Sequence, residues 1–402
     1  MQIKGGRAFS IYLAGQGIAY LGESFRFIAV TMLIFKLTGS GISAALGIAL
    51  SALPGIIASP FAGVLGDRTD ERRVLVLIDL ARFLTVPVFL YVDNVVQIYM
   101  LLIFLSLFDV FYTPSRKKII LGMTGRNGAL KANSLLTGVS GAAYLTGPLA
   151  AGFLTDSYGP APAILIASLC CFASCLATFF AGIVYCQAAN AFSTYKVTSA
   201  LRYHPMAEFR EGLAYCLATP AVRALLAVGL VTGFCTISVN LAFYPYAFDV
   251  LKVTAKGWSL MITVYYGTNL IAMLLTKYLA NHIKGREGKL FYTGLIIVSI
   301  IWTFYAFVTN YANVLLLQFI EGSVIAVCGI LLAARFQVIT ERGFMARVSG
   351  TNELFSDVGK LAGMSCAVVL TGSFSFGAVF IFNSAILLLF AFSWLISSNW
   401  SL

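Results

Sequence analysis

Gly63-Val-Leu-Gly-Asp67-Arg68-Thr-Asp70-Glu71-Arg72-Arg73 packs six ionisable residues and two glycines into eleven positions between two long apolar stretches. Such a knot reads as a tight turn at a membrane face. The segment before it, Gly41 to Leu65, is long enough to cross a hydrocarbon layer of about 30 Å at roughly 1.5 Å per helical residue. Composition agrees: of 402 residues 59% are hydrophobic and only 11% charged, with mean hydropathy +0.89. That leaves too few charges to coat a soluble domain of this size. The apolar run after Lys4 and Arg7 is too long for the core of a cleavable leader and reads as a first span.

About twelve apolar segments of spanning length succeed one another, with cores near 9–35, 41–65, 74–92, 96–120, 132–155, 161–186, 221–248, 258–281, 290–309, 313–338, 347–372 and 376–399. All are expected to be helical, because backbone polar groups left unsatisfied in lipid are costly. The longest polar interruption, Gln187 to Pro220, separates six segments from six. Within it, His204 to Thr219 has the spacing of an amphipathic helix at the inner surface. The predicted organisation is an all-α membrane protein with an N-terminal six-helix bundle over 1–186, a cytoplasmic linker over 187–220 and a C-terminal bundle over 221–402.

Charge asymmetry predicts the orientation. With both termini cytoplasmic, the inner loops hold nearly all the loop cations, from Lys4, Arg7, Arg68, Arg72 and Arg73 through Arg116, Lys117 and Lys118 to Lys289, Arg335 and Arg347, whereas the outer loops hold Lys36, Lys252 and Lys256. The net charge of +11 then reflects topology and argues against a nucleic-acid partner. Eight cysteines fall mostly inside apolar runs, and with two histidines in the chain no metal site is expected. The chain lacks the G-x-x-x-x-G-K-[ST] nucleotide loop, and no cofactor is expected.

The halves echo one another. Gly63-x-Leu65-x-Asp67-Arg68, with Arg72 and Arg73 after helix 2, is matched after helix 8 by Lys277-x-Leu279-x-Asn281-His282 with Arg286 and Lys289. Helix 4 carries Asp109 where helix 10 carries Glu321. Repeats of this size are how secondary transporters build a midplane cavity between two rocking bundles.

The sequence resembles the major facilitator superfamily, whose signature G-x-L-x-D-R-x-x-x-R-R/K after helix 2 corresponds to Gly63, Leu65, Asp67, Arg68, Arg72 and Arg73. Within it, the chain is similar to the drug:proton antiporter branch that includes macrolide-efflux proteins and the enterobactin exporter. The stretches carrying that resemblance are LAGQGIAYLGESFRFIAV, TPSRKKIILG followed by LKANSLLTGVSGAAYLTGPLAAGFL, and AEFREGLAYCLATPAVRALLAVGL. In physical terms the turn is a conformational latch: Gly63 permits close helix approach, Asp67 accepts hydrogen bonds from a neighbouring helix end, and Arg68, Arg72 and Arg73 bind phosphates or carboxylates. A merely topogenic charge run would explain the arginines but not the glycine and aspartate. In helix 5, Gly147, Pro148 and Gly152 resemble the superfamily's antiporter motif G-P-x-x-G-G, with Ala151 in place of the first closing glycine. Small residues and a carbonyl freed by proline make a pliant bend there, and the resemblance to that motif implies an exporter.

Ionisable residues in mid-span are the candidates for proton coupling or substrate contact, since each is costly in lipid unless paired, hydrated or neutralised. Glu23 and Arg26 share a face of helix 1 and are read either as a self-neutralising pair or as a proton carrier beside an anion anchor, with Gln16 two turns earlier. Asp79 and Arg82 have the same spacing nearer the inner surface and read as a structural pair. Asp109, among Phe and Leu neighbours, and Glu321 in helix 10 are further coupling candidates. In helix 11, Glu353, Asp357 and Lys360 fall along one side, which points to a cavity and to an anionic or zwitterionic substrate. Asn240, Tyr244, Tyr265 and Asn269 are expected to line it.

The expected function is export of an amphipathic small molecule, a drug-like compound or siderophore, by proton antiport with alternating access. A monomer in the bacterial inner (cytoplasmic) membrane is expected, with protons, lipid and the small-molecule substrate as partners. An importer or facilitator of an anionic metabolite or siderophore, and a lipid flippase, are the alternatives. No catalytic constellation marks an enzyme.

Overall fold

The computed structural model describes residues 6–66, 71–189, 205–283, 286–340 and 344–396. Among them the chain is almost wholly helical: α1 (Gly6–Thr38), α2 (Gly41–Gly66), α3 (Glu71–Thr85) with a 3-10 extension (Val86–Tyr91), α4 (Val95–Tyr158), α5 (Pro160–Ala189), α6 (Pro205–Ala218), α7 (Pro220–Pro245) with a π turn (Tyr246–Val250), α8 (Ala255–Ile283), α9 (Glu287–Tyr305), α10 (Tyr311–Ile339), α11 (Met345–Ser373) and α12 (Phe376–Ile396). Ten helical stretches among the described residues are long and apolar enough to cross a membrane, and Gly41–Ile57 is a shorter apolar one. Leu169, Leu274 and Leu389 are exposed as fully as surface lysines would be in a soluble protein. This is a multi-pass membrane protein.

Local sequence sets where these helices begin, end and bend. Gly39 (φ +64°) closes α1 by donating to the Phe35 carbonyl at 2.7 Å, and Gly159 (φ +80°) closes α4 on Thr155 at 3.0 Å. Asn94 caps α4 by accepting from the Val96 N–H at 2.9 Å, and Asn310 caps α10 in the same way through Ala312 at 2.9 Å. The same residue thus performs the same task before the fourth and the tenth predicted span, a sign of the internal repeat. Pro87 in the 3-10 segment has no N–H to give the Phe83 carbonyl, and Ser168 of α5 donates to that carbonyl instead at 2.8 Å.

α4 differs from the expected pair of spans by being continuously helical over Val95–Tyr158. It nevertheless doubles back. Gln16 of α1 meets Tyr112 while its neighbour Gly17 packs towards Val139, positions that would lie about 40 Å apart on a straight helix. One leg is the span Val95–Thr124; the other, over 131–158, is interrupted by Ser134, Thr137, Ser140 and Thr146, so it is less apolar than the rest.

The chain forms two compact units, residues 1–197 with 253–263, and residues 198–252 with 264–402. In the first, α1 lies against α5 with Gly15 facing Ala177 and Gly22 facing Cys170. In the second, α6 packs by Cys216 onto Val222, Leu226 and Val348, and Tyr215 stacks on Phe344 at 4.3 Å. There, α11 meets α7 through Gly359-x-x-x-Gly363, whose missing side chains admit the backbone carbonyls of Leu230 and Phe234. Gly363→Leu should therefore cost about 1–3 kcal/mol, seen as a lower melting temperature in detergent. Gly372→Leu, with open space around it, serves as the control. Equal melting of the two variants would contradict this packing.

Candidate functional site

The first unit encloses a cavity of about 480 Å³ reached by α1, α3, both legs of α4, and α5. Six charged side chains line it: Glu23 and Arg26 from α1, Asp79 and Arg82 from α3, and Asp109 and Arg116 from the first leg of α4. Three carboxylates face three guanidiniums, so the hollow is densely charged but formally neutral. Glu23 lies near the middle of α1 and Asp109 near the middle of its leg, which puts the charges at mid-span.

Arg82 is the hub of this arrangement. Its Nη1 stands 3.5 Å from Asp79 Oδ1, its Nη2 is bonded to Asp109 Oδ1, and its guanidinium covers the Tyr112 ring at 4.5 Å. Asp79 is 1% exposed and also accepts from Ser174 at 2.7 Å, whereas the Asp109 side chain is 50% exposed. Tyr112 in turn accepts a hydrogen bond from the buried Gln16 at 2.8 Å. Arg116 donates to the Tyr20 hydroxyl, and Tyr20 lies 5.7 Å from Tyr144. The Tyr144 hydroxyl reaches Glu23 at 3.4 Å. Arg26 faces the same hollow, one turn along α1 from Glu23.

The structure thus brings Gln16, Glu23, Arg26 and Asp109 to one cavity. Asp109, expected to be desolvated among Phe and Leu, is instead half-exposed and ion-paired. The Asp79–Arg82 pair expected from spacing is present, and it belongs to the same charged cluster as Asp109. Spacing also gave no sign of Tyr20, Tyr112, Tyr144 or Arg116; the available signal was the crowding of Asp79, Arg82 and Asp109 into consecutive spans.

The second unit is built differently. Glu321 of α10 is buried and accepts from Trp302 Nε1 at 2.7 Å and the Tyr305 hydroxyl at 2.8 Å, both on α9. Lys360 pairs with Asp357 at 2.8 Å along α11, while Glu353 is exposed. Asn240 turns back to the Thr236 carbonyl at 2.8 Å, Tyr244 is buried, Tyr265 meets the Tyr266 ring edge-on at 5.3 Å, and Asn269 is half-buried.

Of the expected latch, Asp67 and Arg68 lie outside the described residues, as do the surroundings of Gly63. Arg72 lies across Gly182 of α5, where an added Cβ would stand 2.6 Å from the guanidinium carbon, and Arg73 is exposed. In the helix-bend motif Gly147 faces Ser24, Pro148 is buried, and Gly152 leaves room for Ser259 in the 253–263 stretch of the same unit.

The family model for the Major Facilitator Superfamily matches residues 12–359. The chain belongs to that superfamily. It is therefore a transporter, and its relatives are transporters rather than enzymes. The uncharacterised MFS-type transporter YfiS of Bacillus subtilis is 28% identical over 223 residues, 55% of this chain and 51% of YfiS. The multidrug resistance protein MdtG of Dickeya zeae is 26% identical over 408 residues, 96% of this chain and 94% of MdtG. Among solved structures, a POT family transporter in complex with a thioalcohol-conjugated peptide aligns with TM-score 0.74 over 99% of this chain and 98% of its own, at 10% identity, a likeness of fold alone.

In this superfamily member, Glu321 is held by two neutral donors, so Trp302→Phe and Tyr305→Phe should each leave a buried acceptor short and cost about 1–3 kcal/mol. Thermal unfolding in detergent checks this; wild-type melting in both variants would contradict it.

Proposed function

We propose that this transporter exports an amphipathic small molecule by proton antiport with alternating access, from the bacterial inner membrane and with both termini cytoplasmic. The observation that carries this reading is the charged cavity of the first unit, where Glu23 is exposed and Asp109 half-exposed beside tyrosine rings. The multidrug name of the MdtG relative supports a drug-like substrate. The basic loops after helix 2 and around the linker support the orientation.

The chemistry of exchange is simple. A carboxylate that can pair with a substrate's cationic group cannot at the same moment hold a proton, so the two loads alternate on Glu23 and Asp109. The tyrosine rings supply an apolar and weakly polar wall for the rest of the molecule. Arg72 and its neighbours in the turn after α2, and the Gly147-Pro148-Gly152 bend, serve as the latch and hinge of the transition. Asp357, Lys360 and Glu353, with Asn240, Tyr244, Tyr265 and Asn269, form the second unit's contribution to the pathway.

A second reading has its own observation. Arg26 in the same cavity would suit the carboxylate of an anionic metabolite or siderophore. Coupling would then change sign, because a proton on Glu23 would favour the anion rather than compete with it.

The experiment uses inside-out proteoliposomes with an acidic lumen and the dye ethidium as probe. Antiport predicts dye accumulation that collapses with the gradient and falls to background in Glu23→Gln and Asp109→Asn. Accumulation that persists without a gradient, or full gradient-driven flux in both variants, would overturn the reading.

A further inference from the structure

Arg82 stands between two carboxylates that differ in every respect that governs exchange. Asp79 lies one helical turn away on α3, is almost fully buried, and is held by Ser174 of α5. Asp109 comes from α4 and has half its side chain open to the cavity. The guanidinium rests on the Tyr112 ring, which is itself pinned by Gln16, so it has little freedom to follow either partner. The open carboxylate can trade partners with the cavity; the closed one cannot.

If Asp109 were the sole counter-ion, a proton arriving on it would strand a largely buried cation without a counter-charge, and the exchange would be costly. With Asp79 in contact, Arg82 keeps a counter-charge throughout. We propose that Asp79 is a positioning residue, a reserve counter-ion that holds Arg82 neutralised while Asp109 leaves it to take a proton. This rests on the reading of Asp109 as a proton site. In the step, a proton from cavity water bonds to a carboxylate oxygen of Asp109, the hydrogen bond from Arg82 Nη2 to Oδ1 breaks, and Arg82 keeps its charge and its contact with Asp79.

The groups that share the hollow with Asp109 come from four helices. α3 presents Asp79 and Arg82; α1 presents Tyr20, Glu23 and Arg26; its own leg carries Tyr112 and Arg116; the returning leg carries Tyr144; and α5 carries Cys171. Removing the charge of Asp79 has two consequences with one sign. Arg82, where it stands, is left with Asp109 as its counter-ion, and a negative neighbour disappears. Both make Asp109 hold its negative charge to lower pH.

The test follows protonated-carboxyl infrared bands of the purified full-length protein as pH is varied, with no ligand beyond the proton. The band belonging to Asp109 is the one lost in Asp109→Asn. In Asp79→Asn its midpoint should move to lower pH by about one unit or more, a shift that a merely structural defect would not produce. In Asp79→Glu, which keeps the charge and extends its reach, the midpoint should stay at or above the wild-type pH. This second variant decides the matter even if Asp79→Asn does not fold. A midpoint unmoved in Asp79→Asn, or lowered in Asp79→Glu, would overturn the inference alone. A wild-type protein with no titrating Asp109 band would remove the proton-site reading and the inference with it.

Discussion

The ion pair between Arg82 and its two aspartates is the interaction on which the rest of the first unit depends. A guanidinium that is largely buried among helices, with its side chain 18% exposed, needs a counter-charge beside it, because an unpaired charge there is costly. Meeting that demand requires α3 and the first leg of α4 to lie side by side at the level of residues 79, 82 and 109. Tyr112, one turn beyond Asp109, supports the guanidinium and is itself fixed by Gln16, so the pair also sets where α1 must run.

The small residues of α1 then become intelligible. Gly15 and Gly22 let α5 approach on one side, and Gly17 makes room for the returning leg of α4. With the helices drawn in at these points, the polar side chains between them line a common hollow. The second unit uses the same small-residue device, through Gly359 and Gly363, but meets its buried Glu321 with two neutral hydrogen-bond donors rather than a cation. In the first unit Asp109 is half-exposed and ion-paired, whereas in the second Glu321 is buried and hydrogen-bonded.

Much of the fold is legible in the sequence because its causes are local. Apolar run length and the glycine, proline and asparagine at helix ends act within a few residues. Glu23 and Asp109 stand out for the same reason, being charges near the centre of apolar runs. The role of Arg82 is hidden: its three-residue spacing from Asp79 already explains it, while its second partner is 27 residues away on another helix. Nor does spacing tell which of 19 tyrosines wall a cavity, or that Glu321 is enclosed by Trp302 and Tyr305. The doubling back of α4 is equally non-local, since it follows from what two distant segments touch.

The central claim is that water reaches the charged hollow of the first unit from outside the protein. The direct measurement is labelling by a membrane-impermeant thiol reagent of single cysteines placed at Ala19, Thr113 and Ser140, which line the cavity, and at Leu107 and Leu176, which are exposed on the apolar exterior, in a background with the native cysteines replaced. The account predicts that the first three react and the last two do not. Equal silence at all five, or reaction confined to the exterior pair, would contradict it.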